Sequence, residues 1–364
     1  MAKKNRKKLR VAVIGCGERG ALHLAMAAVS PDARLVACCD VDRVRARTMG
    51  KAYGIRAFTD VQRMLRRRLF FRRIQAVHLC LPHDLHASVA GYCLTRGVHV
   101  LTEKPIGLDA ASAEQTAYYA KIADRECGVF FPYRGALPAV RVREVLASGK
   151  LGRLLSVRSV LSWASSESYY AAAAWRGTWE GAGGGILIDR AIHTLDLVNS
   201  LVGSEVGSVS CTMANRHHTG VPVEDSAEGL VVYKNGVRYA FYCMNTAEAD
   251  IPIEIRLTCE AGEVVMDYDS AEIRYRDGSV ERVEAPAGVG NRPACFDAQV
   301  GQFYRACYGE EPLAVSAESA MATHKLVFAL YDAARKQGIQ LVGQEKPEAT
   351  PEPPREKRTW RRWI

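Results

Sequence analysis

Short runs of apolar, β-branched residues alternate through the first third of the chain with longer runs of mixed character. That is the pattern of strands buried on both faces set between amphipathic helices. Val11-Ala12-Val13-Ile14 reads as the first strand, and the helix-forming residues 21–28 follow it. Residues 34–40 form a second strand, 41–53 a helix stopped by Gly54, and Ala57-Phe58 a short third strand. Asp60 is placed to cap a helix reaching Leu69. A fourth strand over 76–81 stops at Pro82, a helix over 83–95 ends ahead of Gly97, and 98–102 is the fifth strand. A helix from Asp109 to about Glu126 and a strand over 129–132 complete the series. Strand and helix alternating at this spacing predict right-handed βαβ units, and hence a Rossmann-type, doubly wound parallel sheet over residues 1–135.

The pattern then changes. After a helix over 138–148, Gly149-Lys150-Leu151-Gly152 marks the crossing into a second domain over 136–343. Runs at 154–163, 206–215, 226–233, 237–245, 253–259, 263–268 and 272–275 read as strands, joined by turns such as Lys234-Asn235-Gly236 and Arg276-Asp277-Gly278. They predict an α+β domain with a large, mainly antiparallel open sheet whose outer face pairs with another subunit. Helices near 296–308 and 316–336, the latter capped by Gly338, close the fold. Residues 344–364 are rich in Pro and charge and read as a tail, in which Trp360 and Trp363 stand out.

Composition narrows the class. A chain of 364 residues exceeds what one core usually serves, and its 48% hydrophobic residues include no run long enough to cross a bilayer. The basic start, MAKKNRKKLR, leads straight into the first strand and lacks the apolar segment of a signal peptide. Eleven cysteines, scattered and without a C-x-x-C pair, read as reduced apolar side chains, which suits the cytoplasm. The net charge of +9 collects at the termini and in Arg66-Arg67-Arg68 and Arg72-Arg73. Such runs are ordinarily solvated faces, so neither nucleic acid nor a membrane is expected as a partner.

The chemistry begins at Gly15, Gly17 and Gly20, which satisfy G-x-G-x-x-G between the first strand and its helix. Such a turn brings a pyrophosphate against the backbone, and the N–H groups of Glu18, Arg19 and Gly20 open the helix as an anion site. Asp40 follows 20 residues after Gly20, where a carboxylate binds the ribose 2′-OH, so NAD is favoured over NADP. Arg43 and Arg45 weaken that preference without reversing it. Glu103-Lys104-Pro105 stands at the carboxyl end of the fifth strand, where open α/β sheets collect ligands, although an ordinary surface lysine also fits.

A second constellation, Gly183-Gly184-Gly185 followed by Asp189, His193 and Asp196, lies on a helix predicted from Ile186 to Leu201 and ended by Gly203. Asp189 and His193, four apart, share a helical face, and an imidazole beside a carboxylate moves protons near neutral pH. The glycines would admit a ligand close to the helix start. A hydrogen-bonded structural pair has the same spacing, and no third ligand supports a metal. Trp163, Tyr169, Tyr170, Trp175 and Trp179 are candidates for stacking on a sugar ring or for the core. A nicotinamide domain joined to Lys, Asp and His makes the minimal kit for oxidising a secondary alcohol.

These residues, in this order, resemble the Gfo/Idh/MocA family of oxidoreductases over residues 10–343. Further matches are Pro82 with His86, Tyr133-Arg134, Tyr169-Tyr170, Trp175-Arg176-Gly177-Thr178-Trp179 and Val223-Glu224-Asp225. The resemblance implies dimers or tetramers built through the open sheet, and hydride transfer between NAD and a secondary hydroxyl of a sugar, glycoside or cyclitol. It implies that Pro82, His86, Glu103 and Lys104 join the glycine turn and Asp40 in holding the cofactor. It further implies that Lys104 binds the reacting oxygen, His193 takes the proton and Asp189 orients or shares that task. Tyr133, Arg134, Trp163, Tyr170, Trp175, Arg176 and Arg190 would then line the substrate site. Ala191 replaces a common glycine, and Asp189-Arg190 replaces the Asn and Gln of many relatives with the WRGTW stretch. The aromatic residues favour a glycoside, oxidised at its C3 hydroxyl. A redox-neutral glycosidase that oxidises C3 transiently, and a non-catalytic NAD-binding regulator, are the rival expectations.

Overall fold

The computed structural model describes residues 7–66, 73–218, 220–290 and 292–337. Arg67, Arg68, Arg72, Gly338 and the predicted tail with Trp360 and Trp363 lie outside the described residues. The described chain packs as two compact units, residues 7–135 with 287–321, and residues 136–286 with 322–337.

The first unit is a six-stranded, wholly parallel sheet of β1 (Leu9–Ile14), β2 (Ala33–Cys39), β3 (Arg56–Phe58), β4 (Ala76–Leu79), β5 (His99–Thr102) and β6 (Cys127–Val129). Its order, β3-β2-β1-β4-β5-β6, changes direction between β1 and β4, which is where doubly wound sheets open a crevice for a ligand. Val11, Ala12, Val13 and Ile14 are each 0% exposed, which is why both faces of β1 had to be apolar. The connecting helices are α1 (Glu18–Val29), α2 (Arg43–Ala52), α3 (Val61–Arg66), α4 (His86–Leu94) and α5 (Ala110–Ala123). Asp42 accepts the Val44 and Arg45 N–H groups at the start of α2, Asp60 accepts that of Arg63, and Asp109 forms a capping box with Ser112. β6 lies earlier than the expected 129–132. Phe130 and Phe131 are buried beyond its end, and Pro132, which has no N–H for a ladder, begins a 3₁₀ turn over Pro132–Gly135.

The second unit opens with α6 (Leu137–Ala147) and β7 (Leu154–Ala164), then two short helices, α7 (Glu167–Ala171) and α8 (Trp179–Ala182). A single π turn over Leu187–Ala191 leads into α9 (Ile192–Val202), which Gly203 ends at φ 60°. The eight-stranded sheet adds β8 (Val206–Ala214), β9 (Ser226–Tyr233), β10 (Arg238–Met244), β11 (Thr246–Cys259), β12 (Gly262–Met266), β13 (Ser270–Tyr275) and β14 (Val280–Glu284). Its order is β14-β13-β12-β11-β7-β10-β9-β8, antiparallel except for β7 with β10. α10 (Ala294–Cys307) belongs to the first unit, and α11 (Ala317–Gln337) begins there and continues in the second.

Candidate active site

Gly15 adopts φ +92°, and a Cβ there would stand 2.0 Å from the Cys80 carbonyl oxygen. A Cβ on Gly20 would meet the Gly15 carbonyl oxygen at 1.9 Å. Both glycines are therefore demanded by the turn itself. Gly17 differs, because a Cβ on it would find only Arg45 Nη1, at 3.8 Å. That opening lies where α1 begins, with Glu18, Arg19 and Gly20 as its first three residues. Buried Asp40 joins the turn to the end of β2: its Oδ2 accepts the Cys16 N–H and its Oδ1 the Asp42 N–H, both at 2.8 Å. Arg45 Nη1 stands 3.9 Å from Asp40 Oδ2, so this guanidinium faces the turn instead of lying wholly in solvent. An open backbone cradle, the N–H groups of the first turn of α1 and a terminal carboxylate fit a dinucleotide.

At the far side of the crevice, Glu103 and Lys104 are 5% and 6% exposed after β5, and the Lys104–Pro105 peptide is cis. Burial alone would raise the Glu103 carboxyl. The hydrogen bond from His23 and the charges of Arg19 and Lys104 outweigh it and hold the group well below the usual carboxylate range. His86 has both ring nitrogens on backbone oxygens, Nδ1 at 2.7 Å from Pro105 and Nε2 at 2.9 Å from Leu81. The buried ring therefore sits between two turns and donates its one hydrogen to one of them. Half-buried Pro82 opens the 3₁₀ turn His83–Leu85. Tyr133 packs edge-on against Phe296, and Arg134 reaches the Ser319 carbonyl and hydroxyl at 3.4 Å.

In the second unit the substrate-side candidates converge on one ring. The Tyr169 hydroxyl donates to Asp189 Oδ2 at 2.6 Å, and Arg190 Nε stands 3.5 Å from that same oxygen. The Arg176 guanidinium lies 4.3 Å from the centre of the Tyr169 ring, and that of Arg190 lies 5.0 Å from it and 5.5 Å from Trp163. Trp175 is half-buried beside Arg176. Tyr170 meets Tyr169 edge-on and accepts a hydrogen bond from Asn245, and burial leads the effects that push its phenol up to about 12. Half-buried His193 follows in the first turn of α9, across the junction between π and α windings from Asp189. π turns of this kind recur at functional sites.

Residues 9–131 match the oxidoreductase family with an NAD-binding Rossmann fold, and residues 139–265 match the GFO/IDH/MocA C-terminal domain. The chain belongs to the Gfo/Idh/MocA family. Residues 9–131 are the family's NAD-binding Rossmann fold, and NAD is the cofactor. It is 30% identical over 186 residues to trans-1,2-dihydrobenzene-1,2-diol dehydrogenase of Bos taurus, an alignment spanning 50% of this chain and about half (52%) of the bovine protein. It is 28% identical over 251 residues to D-glucoside 3-dehydrogenase of Escherichia coli (strain K12), covering 63% of this chain and 68% of that one. In fold it is similar to the WlbA dehydrogenase from Bordetella pertussis, solved with NADH and UDP-GlcNAcA, with a TM-score of 0.78, 24% identity and coverage of 90% and 97%.

Against this Gfo/Idh/MocA background, one expectation is corrected, and Trp179 takes the core alternative of its two readings. Two of the three glycines ahead of Asp189 are packed against the chain: a Cβ on Gly184 would stand 2.0 Å from the Tyr331 hydroxyl, and one on Gly185 would stand 1.7 Å from the Glu224 carbonyl oxygen. These two admit neighbouring parts of the chain, not a ligand. Trp179 donates Nε1–H to the Pro222 carbonyl and lies between Tyr331 and Arg335, so it packs within its own unit. Buried Asp196 accepts a hydrogen bond from Thr323 at 2.8 Å, which ties α9 to α11.

Sequence reasoning also undervalued Glu224. Its buried carboxylate accepts the N–H groups of Gly185 and Leu187 and the Tyr331 hydroxyl, and so caps the π turn that carries Asp189. Burial raises its proton affinity although those donors oppose it. The only signal was the pair of adjacent carboxylates in Val223-Glu224-Asp225.

Proposed function

We propose that this chain is an NAD-dependent dehydrogenase acting on a secondary hydroxyl of a sugar, glycoside or cyclitol. The observation that carries the reading is the cluster around Tyr169: two guanidiniums and a bonded carboxylate border one phenol ring, one of those guanidiniums also facing the Trp163 indole, ahead of a half-buried histidine. Aromatic faces and charged donors of this kind suit a polyhydroxylated ring. The glycine turn, helix donors and Asp40 would hold NAD, which when bound supplies the hydride acceptor.

In this reading the Lys104 ammonium donates to the reacting oxygen and steadies negative charge as the O–H bond breaks. His193 accepts that proton on a ring nitrogen. Asp189 already shares Oδ2 with Tyr169 and Arg190, which suits it to orient the imidazole and leaves the proton to His193. Arg190, Arg176 and Trp163 would grip the remainder of the substrate. Oxidation at C3 of a glycoside is the finer assignment, supported by the aromatic border and by the similarity to D-glucoside 3-dehydrogenase.

Two further parts of the reading concern assembly and compartment. Exposed Val160 and Ile251 on β7 and β11 support a homo-oligomer formed through the outer face of the sheet, which light scattering checks. All eleven cysteines are free thiols, nine of them buried, as suits a reducing cytoplasm. Among the described residues no helix is long and apolar enough to cross a membrane.

The test is to purify the protein, identify any nucleotide that copurifies, and screen glycosides, free sugars and inositols for NADH formation. A glycoside or cyclitol that reduces NAD supports the reading. Aglycone release without net NADH would assign the redox-neutral glycosidase instead, and NAD binding with no turnover on any of the three classes would favour a regulator.

A further inference from the structure

The first unit holds a buried polar chain that no step above uses. Tyr304 on α10, His78 on β4 and His23 on α1 are each 0% exposed, and Glu103 after β5 is 5% exposed. The Tyr304 hydroxyl lies 2.9 Å from His78 Nε2, His78 Nδ1 lies 2.9 Å from His23 Nδ1, and His23 Nε2 lies 3.3 Å from Glu103 Oε1. Phe130 packs edge-on against His23 and Phe303 against His78, so the two rings have apolar neighbours besides one another.

The donors and acceptors can be ordered from one end. A carboxylate only accepts, so His23 Nε2 carries a hydrogen toward Glu103. A neutral His23 then has a bare Nδ1, which accepts from His78 Nδ1–H. His78 Nε2 is bare in turn and accepts the Tyr304 O–H. The chain thus has one direction, Tyr304 to His78 to His23 to Glu103, with each ring atom matched. Burial favours the neutral form of His78. Arg19 from the glycine turn and Lys104 are charges that act on Glu103.

We propose that His23 is a positioning residue: held in one tautomer by His78 and Tyr304, it fixes the Glu103 carboxylate and with it the turn that presents Lys104. This rests on the reading of Lys104 as the group that binds the reacting oxygen. The chain spans three helices and strands far apart in sequence and ends one residue from that lysine, so it links the core of the nucleotide domain to the catalytic turn. A buried carboxylate without its donor would be drawn toward Arg19 and Lys104, moving the ammonium from its place.

The experiment has an arm independent of turnover. ¹⁵N NMR of the histidine rings in the intact wild-type protein at pH 7.5 (roughly one unit above the ordinary histidine value) should show His23 as the Nε2–H tautomer and His78 as the Nδ1–H tautomer. The reverse tautomers, or His78 carrying its hydrogen on Nε2, would overturn the proposal. In the second arm, His23→Leu should lower kcat by about 10- to 100-fold with KM for substrate and NADH affinity little changed. His23→Gln, which keeps an N–H toward Glu103, should recover most of that loss. Should His23→Leu fail to fold, His23→Gln and the wild-type tautomers decide. An inactive Lys104→Met beside a fully active, folded His23→Leu would refute the positioning role alone. An active Lys104→Met would instead refute the reading of the lysine and leave the tautomers to judge the chain.

Discussion

The Tyr169 hydroxyl hydrogen lies on Asp189 Oδ2 across 2.6 Å, and Arg190 Nε approaches that same oxygen to 3.5 Å. Burial, and then the Asp189 charge, push the phenol of Tyr169 far above its ordinary value, so it stays a donor at every working pH. Removing the hydroxyl leaves the carboxylate with a weaker hold on its orientation. Tyr169→Phe is expected to lower kcat/KM for the sugar by about 10-fold, the worth of one hydrogen bond to a charged group, with NADH affinity unchanged. Steady-state kinetics beside fluorescence titration check this, and an unaltered kcat/KM would remove Tyr169 from the account.

The three glycines of the turn are expected to respond differently to one methyl group. Gly15→Ala and Gly20→Ala place a Cβ about 2 Å from backbone oxygens and should unfold or strongly destabilise the domain. Gly17→Ala meets only the tip of Arg45 at 3.8 Å, so its melting temperature should stay close to wild type while NADH binding weakens by at least about 10-fold. A Gly17→Ala protein that binds NADH normally would place the pyrophosphate elsewhere.

Lys104→Met keeps the length of the side chain and removes the ammonium. Turnover is expected to fall by about 10²- to 10⁴-fold while the NADH dissociation constant moves by less than about threefold. Near-normal turnover would exclude the lysine from the chemistry.

Acid should loosen the first unit before it titrates carboxylates. Burial lowers the proton affinity of His78, His86 and His99 from the ordinary 6.5, His99 to about 4. Each therefore takes up its proton more readily in the unfolded chain. Their contribution to stability is complete above pH 6.5 and is lost as pH falls below it, through about 4 for His99. Calorimetry from pH 8 to pH 5 should show a melting temperature that declines once pH passes below about 6.5, whereas a flat profile would contradict the burial of these rings.

Legibility in the sequence followed how local the cause was. The β1 run, the glycine turn and Asp40 could be read directly, because backbone sterics and a terminal carboxylate act within a few dozen residues. The caps at Asp60 and Asp109 were equally local. β14 was missed: Val-Glu-Arg-Val-Glu carries three charges and sits at a sheet edge, where its pairing with β13 replaces burial as the cause. β11 begins seven residues earlier than expected, at Thr246 instead of Ile253, since its early part pairs with β7 through irregular register around Ile251. The roles of the triple glycine and Glu224 depend on Tyr331, more than 100 residues away. His23 looked like an ordinary helix residue because its partners lie 55 and 80 residues along the chain.

The central claim is that hydride passes between a sugar carbon and NAD with Lys104 and His193 serving one hydroxyl. A glycoside deuterated at C3 tests it most directly: incubate it with NAD and the protein, and weigh the nicotinamide product by mass spectrometry. One deuteron should appear in NADH with wild type, accompanied by a 3-keto product, and none with Lys104→Met or His193→Ala. Unlabelled NADH, or equal labelling in both variants, would contradict the account.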